Sequence, residues 1–231
     1  MKTPEEIRED ARERTKEIAA TFAEQGDVLG WFDALYSEAD GNTDNIPWAD
    51  LEPNRFLADY AAKTELRGEG RSALVVGCGL GDDAKFLYDL GFKVSAFDIS
   101  PKAIEWAQKL HKDTNIEFRV MDLFKPDPDW LGKFDLVAEV YTIQPLPLEL
   151  RPKVIDAIAA FVGENGRLIV VTRGRDNGEE TGDLPWALSP EDLSRFYANG
   201  LDQSYFEEVF DEDEKEAKRR FVVEYERTKS E

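Results

Sequence analysis

The chain has 231 residues, 42% hydrophobic and 34% charged, the profile of a globular domain with a sizeable core rather than a disordered segment. Its 29 Lys and Arg face 49 Asp and Glu; the net charge of −20, with no basic patch to override it, disfavours nucleic acid and anionic membrane surfaces as partners. No apolar run nears the roughly 18 residues of a membrane span, nothing reads as a secretory signal, and one cysteine cannot form an internal disulfide, so a cytoplasmic setting is expected.

The N-terminal part reads as helices without strands. Thr3 as N-cap, Pro4 behind it and acids in the first turn open a helix that Gly26 stops. A second apolar-rich stretch, 27–37, carries Trp31, Leu35 and Tyr36. A turn-rich segment, 39–48, ends at Trp48, and a third helix is expected from about Pro53 to Gly68. Residues 1–70 are therefore expected to form a helical extension that serves as a lid, and 71–231 the main domain.

From Ser72 the pattern alternates. Apolar runs at 73–76, 93–97, 116–121, 134–140 and 167–172 are separated by helical segments at 82–89, 101–112 and 148–162. That order predicts a parallel sheet covered on both faces by right-handed crossovers. A polar, glycine-bearing loop then runs to about Leu184, and a helix opens at Ser189-Pro190. Residues 201–210 and 221–227 read as strands whose link, 211–220, is too short for a helical crossover, so they pair antiparallel. The expected fold is α/β: a Rossmann-like, doubly wound sheet of about seven strands, five parallel plus the hairpin, with helices on both faces.

Ligands in such sheets sit beyond the carboxyl ends of the strands, where the strand order reverses. The first strand runs into Gly77-Cys78-Gly79-Leu80-Gly81-Asp82, whose glycines let the backbone pass close beneath a nucleotide. Asp98 ends the second strand, 21 residues after Gly77, a spacing that sets a carboxylate beside a ribose. A dinucleotide site wants a third glycine where Asp82 stands, facing a diphosphate. S-adenosyl-L-methionine carries no phosphate and bears a sulfonium and an ammonium, so acids suit it better. A NAD(P)-dependent oxidoreductase of Rossmann type remains the alternative.

The stretch from Ala73 through Gln108, ALVVGCGLGDDAKFLYDLGFKVSAFDISPKAIEWAQ, resembles the first two motifs of class I S-adenosylmethionine-dependent methyltransferases. Within them it is similar to the thiopurine and thiol/halide methyltransferase branch, whose N-terminal tryptophan and Pro-Trp-Asp segment Trp31 and Ile46-Pro47-Trp48-Ala49-Asp50 resemble. The resemblance implies that Gly77, Gly79 and Gly81, with Cys78 and Asp82 in the same loop, line the cofactor, and that Asp98 holds the ribose hydroxyls. It implies that Ile99 packs on adenine, that Asp122 and Leu123 meet its edge, and that Trp48 covers it. It also implies that Glu139, Val140 and Tyr141 meet the methionine end and the acceptor.

Methyl transfer asks the protein chiefly for alignment, which suits a thiol or halide; a hydroxyl or amine also needs a base. Glu139 and Tyr141 are the catalytic candidates, and no obvious histidine or lysine stands there. The Asp/Asn-Pro-Pro-Tyr string of adenine and glutamine N-methyltransferases is absent. Trp31, Tyr36, Tyr141, Gln144, Arg173 and Trp186, with Arg175 beside them, are candidates to line the acceptor. No metal site is expected. The reading is methyl transfer to a small soluble molecule by a monomer or weak homodimer, with a catalytically silent S-adenosylmethionine-binding protein as a further alternative. Blander roles compete: Asp122 as a turn cap before Pro126, Asp82 and Asp83 as first-turn acids, the tryptophans as core, and His111 as partner of a helix C-terminus.

Overall fold

The computed structural model of the chain describes residues 3–211 and 218–227. Helix α1, Pro4–Glu24, begins at a capping box: the Thr3 hydroxyl accepts the Glu6 amide and the Glu6 carboxylate accepts the Thr3 amide. Gly26, at φ +76°, turns the chain out of it. Helix α2 spans Gly30–Ala39 and α3 spans Arg55–Lys63. Asn54 caps α3 by accepting the Phe56 and Leu57 amides, so the helix starts and stops inside the expected 53–68.

Seven strands form one sheet in the order β3-β2-β1-β4-β5-β7-β6. They are β1 Ser72–Val76, β2 Lys93–Asp98, β3 Glu117–Val120, β4 Phe134–Val140, β5 Val162–Arg173, β6 Asp202–Asp211 and β7 Lys218–Glu226. The first five are parallel, and β7 runs antiparallel between β5 and β6. The hairpin turn, 212–217, lies outside the described residues. Helices α4 Asp82–Asp89, α5 Pro101–Leu110, α6 Arg151–Ala159 and the one-turn α7 Pro190–Leu193 complete the crossovers. The order reverses between β1 and β4, so a crevice opens at the ends of those strands.

At the β4–β5 crossover two boundaries differ from expectation. The helix expected over 148–162 is a 3-10 turn, Leu148–Leu150, followed by α6, and β5 begins five residues early at Val162, where 167 was expected. The cause is a register shift between Phe134 and Leu136 that tucks Gly163 and Gly166 under the Phe134 carbonyl. A Cβ at Gly166 would lie 2.6 Å from that oxygen, so no larger residue extends the strand there.

Apolar side chains fill both faces of the sheet. One core gathers Phe97, Val137, Ile155, Phe161 and Phe196; the other gathers Leu57 and Tyr60 of α3 with Val75, Leu87 and Ala96. Helix α3 therefore packs on the sheet itself. Helices α1 and α2 form a separate cluster, Ile18, Trp31, Leu35 and Tyr36, which docks on Leu80 and Ala103. Buried Glu224 on β7 ties the layers: it accepts the Tyr60 hydroxyl, Arg167 Nη1 at 3.1 Å and Ser204 Oγ at 2.9 Å.

Candidate functional site

The loop leaving β1 lies at the crevice. Gly77 and Gly79 have φ of +60° and +52°, the left-handed region that side chains resist. A Cβ at Gly77 would lie 2.6 Å from Thr142 Oγ1, and one at Gly79 would lie 2.9 Å from the Tyr36 hydroxyl. The loop thus packs too closely on Thr142 and Tyr36 to admit a side chain at either glycine.

Asp98 closes β2 beside it and is 7% exposed. One carboxylate oxygen accepts the Gly79 amide at 2.9 Å and the other the Ser100 amide at 2.9 Å. Burial pushes its pKa up, while those amides draw it down. The Ile99 amide acts in the same direction, and the carboxylate retains acceptor capacity for a hydroxyl. The Ser100 hydroxyl accepts the Ala103 amide at 3.0 Å and donates to Asp33 of α2 at 2.7 Å. Asp33 also accepts the Lys102 amide at 3.1 Å, so α2 is pinned to the N-terminus of α5 next to Asp98.

The N-terminal aromatics divide. Trp48 is 42% exposed and donates from Nε1 to the Tyr36 hydroxyl at 2.8 Å. Tyr36 is buried and reaches the glycine loop only by that hydroxyl. Trp31 is buried and stacks on Phe32 with ring centroids 3.8 Å apart. The acceptor wall expected of Trp31 and Tyr36 is therefore corrected: both fill the core under α2, because an apolar helix face must be covered.

Ile99 follows Asp98 half-buried, and Leu123 is buried beyond β3. Asp122 accepts the Phe124 amide at 2.9 Å and faces Lys125 Nζ at 3.2 Å, so its carboxylate also shapes the turn. Asp82 and Asp83 open α4. Asp83 accepts the Asn54 amide at 2.7 Å, and burial pushes its pKa up to about 6; burial also raises Asp82. Two carboxyls where a diphosphate would have to approach the helix end oppose a dinucleotide and suit a cationic, phosphate-free nucleotide. Cys78 donates its amide to Phe97 O at 2.9 Å, and burial, then Asp98, pushes its thiol well above the ordinary range, so it is no nucleophile. His111 caps the end of α5: Nε2 meets Leu80 O at 2.9 Å and the ring stacks on Phe118.

At the far side of the crevice, β4 delivers Glu139, Val140 and Tyr141. Glu139 is wholly buried. Its Oε1 accepts the Thr142 amide at 2.6 Å and the Ile143 amide at 3.0 Å, while Oε2 has no partner among the described residues. Burial lifts its pKa to about 7. The expected catalytic carboxylate is corrected accordingly: Glu139 shows no surface to a substrate and instead holds the turn after β4. Thr142, in that turn, donates to Val76 O at 2.9 Å and backs Gly77. Val140 is partly buried. Tyr141, at φ +59°, is a strained non-glycine residue, and Arg220 Nε donates to its hydroxyl at 3.0 Å. Burial raises its pKa, with Arg220 and the Asn54 side chain pulling the other way.

Gln144 Oε1 accepts Thr172 Oγ1 at 2.9 Å and the Arg173 amide at 2.8 Å, and its main-chain oxygen accepts the Trp186 amide at 2.9 Å. Arg173 Nη1 reaches Pro185 O at 3.4 Å, and Arg175 pairs with Asp192 at 2.8 Å. Gln144, Arg173 and Trp186 thus come together at the β4–β5 end, half-ringed by a loop anchored on Leu188. Asp33, Asn54, Thr142 and Arg220 escaped sequence reasoning. Only Asn54, a cap-type residue just ahead of a helical run, carried a readable signal.

A sequence model of the family described as thiopurine S-methyltransferase matches residues 38–230. The thiopurine S-methyltransferase of Marinobacter nauticus is 25% identical over 170 residues, 67% of this chain and 76% of that protein. A structure solved for the conversion of a disulfide bond into a thioacetal group during echinomycin biosynthesis superimposes with a TM-score of 0.68 at 18% identity, covering 85% of this chain and 90% of that one. Magnesium protoporphyrin IX methyltransferase from Synechocystis PCC 6803, with bound S-adenosylmethionine, superimposes with a TM-score of 0.58 at 21% identity, covering 75% and 76%. The two structures share the fold.

Proposed function

The chain belongs to the thiopurine S-methyltransferase family and is an S-adenosylmethionine-dependent methyltransferase; on that premise we propose that its acceptor is a small soluble molecule with a soft nucleophile, a thiol or a halide. When bound, the cofactor supplies a methyl group on a sulfonium. The loop Gly77–Gly81 is its bed, Asp98 takes the ribose hydroxyls, and Ile99, Asp122 and Leu123 border the adenine. Trp48 lies over it, within a lid formed by residues 1–70.

The observation that supports a soft acceptor is the state of the protein's bases. The one histidine is spent on Leu80 O, and Glu139 is closed off by the turn it holds. Burial keeps the Tyr141 phenol protonated at neutral pH, so it orients an acceptor and does not deprotonate one. An acceptor that must arrive already nucleophilic is a thiolate or a halide. Val140, Tyr141, Gln144, Arg173 and Trp186 border its place.

For the wider setting we propose a cytoplasmic monomer or weak homodimer acting on small molecules, and the net charge of −20 supports its keeping away from nucleic acid and anionic membranes. Among the described residues no helix is long and apolar enough to cross a membrane.

An acceptor panel tests the proposal. With S-adenosylmethionine saturating, formation of S-adenosylhomocysteine is followed with thiols, iodide, phenols and primary amines. Turnover is expected with thiols or iodide alone; phenol or amine methylation without thiol turnover would overturn it.

A further inference from the structure

Tyr36 carries a proton that nothing in the protein takes. Its side chain leaves α2 and is 2% exposed. Trp48 Nε1 reaches the hydroxyl at 2.8 Å, and an indole nitrogen can only donate, so the tyrosine oxygen is the acceptor in that bond. The hydroxyl's own hydrogen is left over and finds no acceptor among the described residues. Burial, then the Asp98 carboxylate, pushes the Tyr36 pKa well above its ordinary range, so the proton stays on at neutral pH. Trp48 and Trp106 pack edge to face against the ring, with centroids 6.2 Å and 6.1 Å away, and hold it in place.

One residue, Gly79, fixes where this hydroxyl stands. A Cβ on Gly79 would lie 2.9 Å from the Tyr36 oxygen, and the Gly79 amide donates to Asp98 at 2.9 Å. Gly79 belongs to the loop leaving β1, and Asp98 ends the neighbouring β2. A buried donor without an acceptor and a buried carboxylate with acceptor capacity therefore flank the same residue at the strand ends. That pairing selects the group that meets it. A carboxylate would satisfy Tyr36 and be repelled by Asp98; an ammonium would satisfy Asp98 and offer Tyr36 no lone pair. A hydroxyl does both, because it donates one hydrogen bond and accepts others. An unpaired hydrogen in a buried setting is costly, so a ligand that pairs it gains affinity.

We propose that Tyr36 is a specificity-determining donor for the ribose of S-adenosylmethionine, its hydroxyl donating to a ribose hydroxyl that itself donates to Asp98. This rests on the cofactor reading above and adds a second contact to the sugar. The bonds run in one direction, from the Trp48 indole to Tyr36, to the ribose and to Asp98, so Trp48 and α2 are tied to the bound nucleoside. A deoxy sugar breaks the run and strands the Tyr36 hydrogen again.

Tyr36→Phe removes the hydroxyl and keeps the ring in its packing. Affinities of S-adenosylhomocysteine and of its 2′-deoxy and 3′-deoxy analogues are measured by calorimetry on wild type and variant. The variant should bind S-adenosylhomocysteine about tenfold more weakly. It should lose nothing for one deoxy analogue, the one lacking the hydroxyl that Tyr36 serves, and a similar factor for the other. Equal losses for all three ligands, which a merely structural role would give, or no loss for any, would overturn the assignment.

Should the variant fail to fold, the wild type still decides. In protein labelled with 13C at tyrosine Cζ, the Tyr36 resonance should shift with S-adenosylhomocysteine and with one deoxy analogue and not with the other; the same response to all three would refute the role. The two claims fail separately. No binding of S-adenosylhomocysteine to the wild type would sink the cofactor reading, whereas binding without any response at Tyr36 would sink the donor alone.

Discussion

Carboxylates are where single residues decide most in this molecule. Four of them, Asp82, Asp83, Asp98 and Glu139, are pushed towards the neutral form, each chiefly by burial. Glu139 is the sharpest case, with an ordinary pKa of 4.5 lifted to about 7. The native state therefore holds its proton more tightly than the unfolded chain does. Its contribution to stability is full below pH 4.5 and is lost as pH rises through 7, a total of about 3 kcal/mol. Glu139→Gln removes that titration and can still accept the Thr142 and Ile143 amides. Between pH 4.5 and 7.5 the stability of the wild type, from urea unfolding, should fall by up to about 3 kcal/mol more than that of the variant. Parallel profiles would show that Glu139 does not titrate in this window. The sequence named Glu139 and could not reveal this role, because the burial that disqualifies it as a catalyst comes from strands on both sides, Val76 and Val170.

Elements carry the coupling between the N-terminal helices and the proposed cofactor site. Asp33 on α2 takes the Ser100 hydroxyl and the Lys102 amide, and Ser100 donates its own amide to Asp98. Helix α2 is therefore latched one residue pair away from the proposed ribose carboxylate. Asp33→Ala should release the latch at a cost of about 1 kcal/mol and leave the sheet intact. Hydrogen exchange should quicken in α1 and α2 and not in β1, β4 or β5, and S-adenosylhomocysteine should bind several-fold more weakly. Uniform exchange across the molecule, or unchanged affinity, would dismiss the latch. Such contacts are invisible to periodicity. Helix positions 82–89 and strand positions 134–140 were legible because alternating apolar runs and a glycine stop mark them locally. The end of α6 and the early start of β5 were not, since a register shift against Phe134 sets them. Asp33 lies 67 residues from Ser100 in the chain, so nothing near either residue announces the pair.

On the scale of the whole molecule the parallel sheet with its antiparallel last pair was readable from the alternation of elements and from the short link before β7. The proposed cofactor half of the site has a local signature for a related reason: a glycine loop and an acid at the next strand end are what a nucleotide asks of such a sheet. The acceptor half carries less of one. Gln144, Thr172 and Trp186 meet only because β4, β5 and a long loop converge, and the burial of Trp31 and Tyr36 depends on how α2 docks. The central claim is that Asp98 and the glycine loop together hold S-adenosylmethionine. Calorimetric titration of S-adenosylhomocysteine into the wild type and Asp98→Ala measures it directly. The wild type should bind with a single site, and the variant, with its fold confirmed by circular dichroism, should bind about a hundredfold more weakly or not at all; equal affinity in a folded variant would contradict the account.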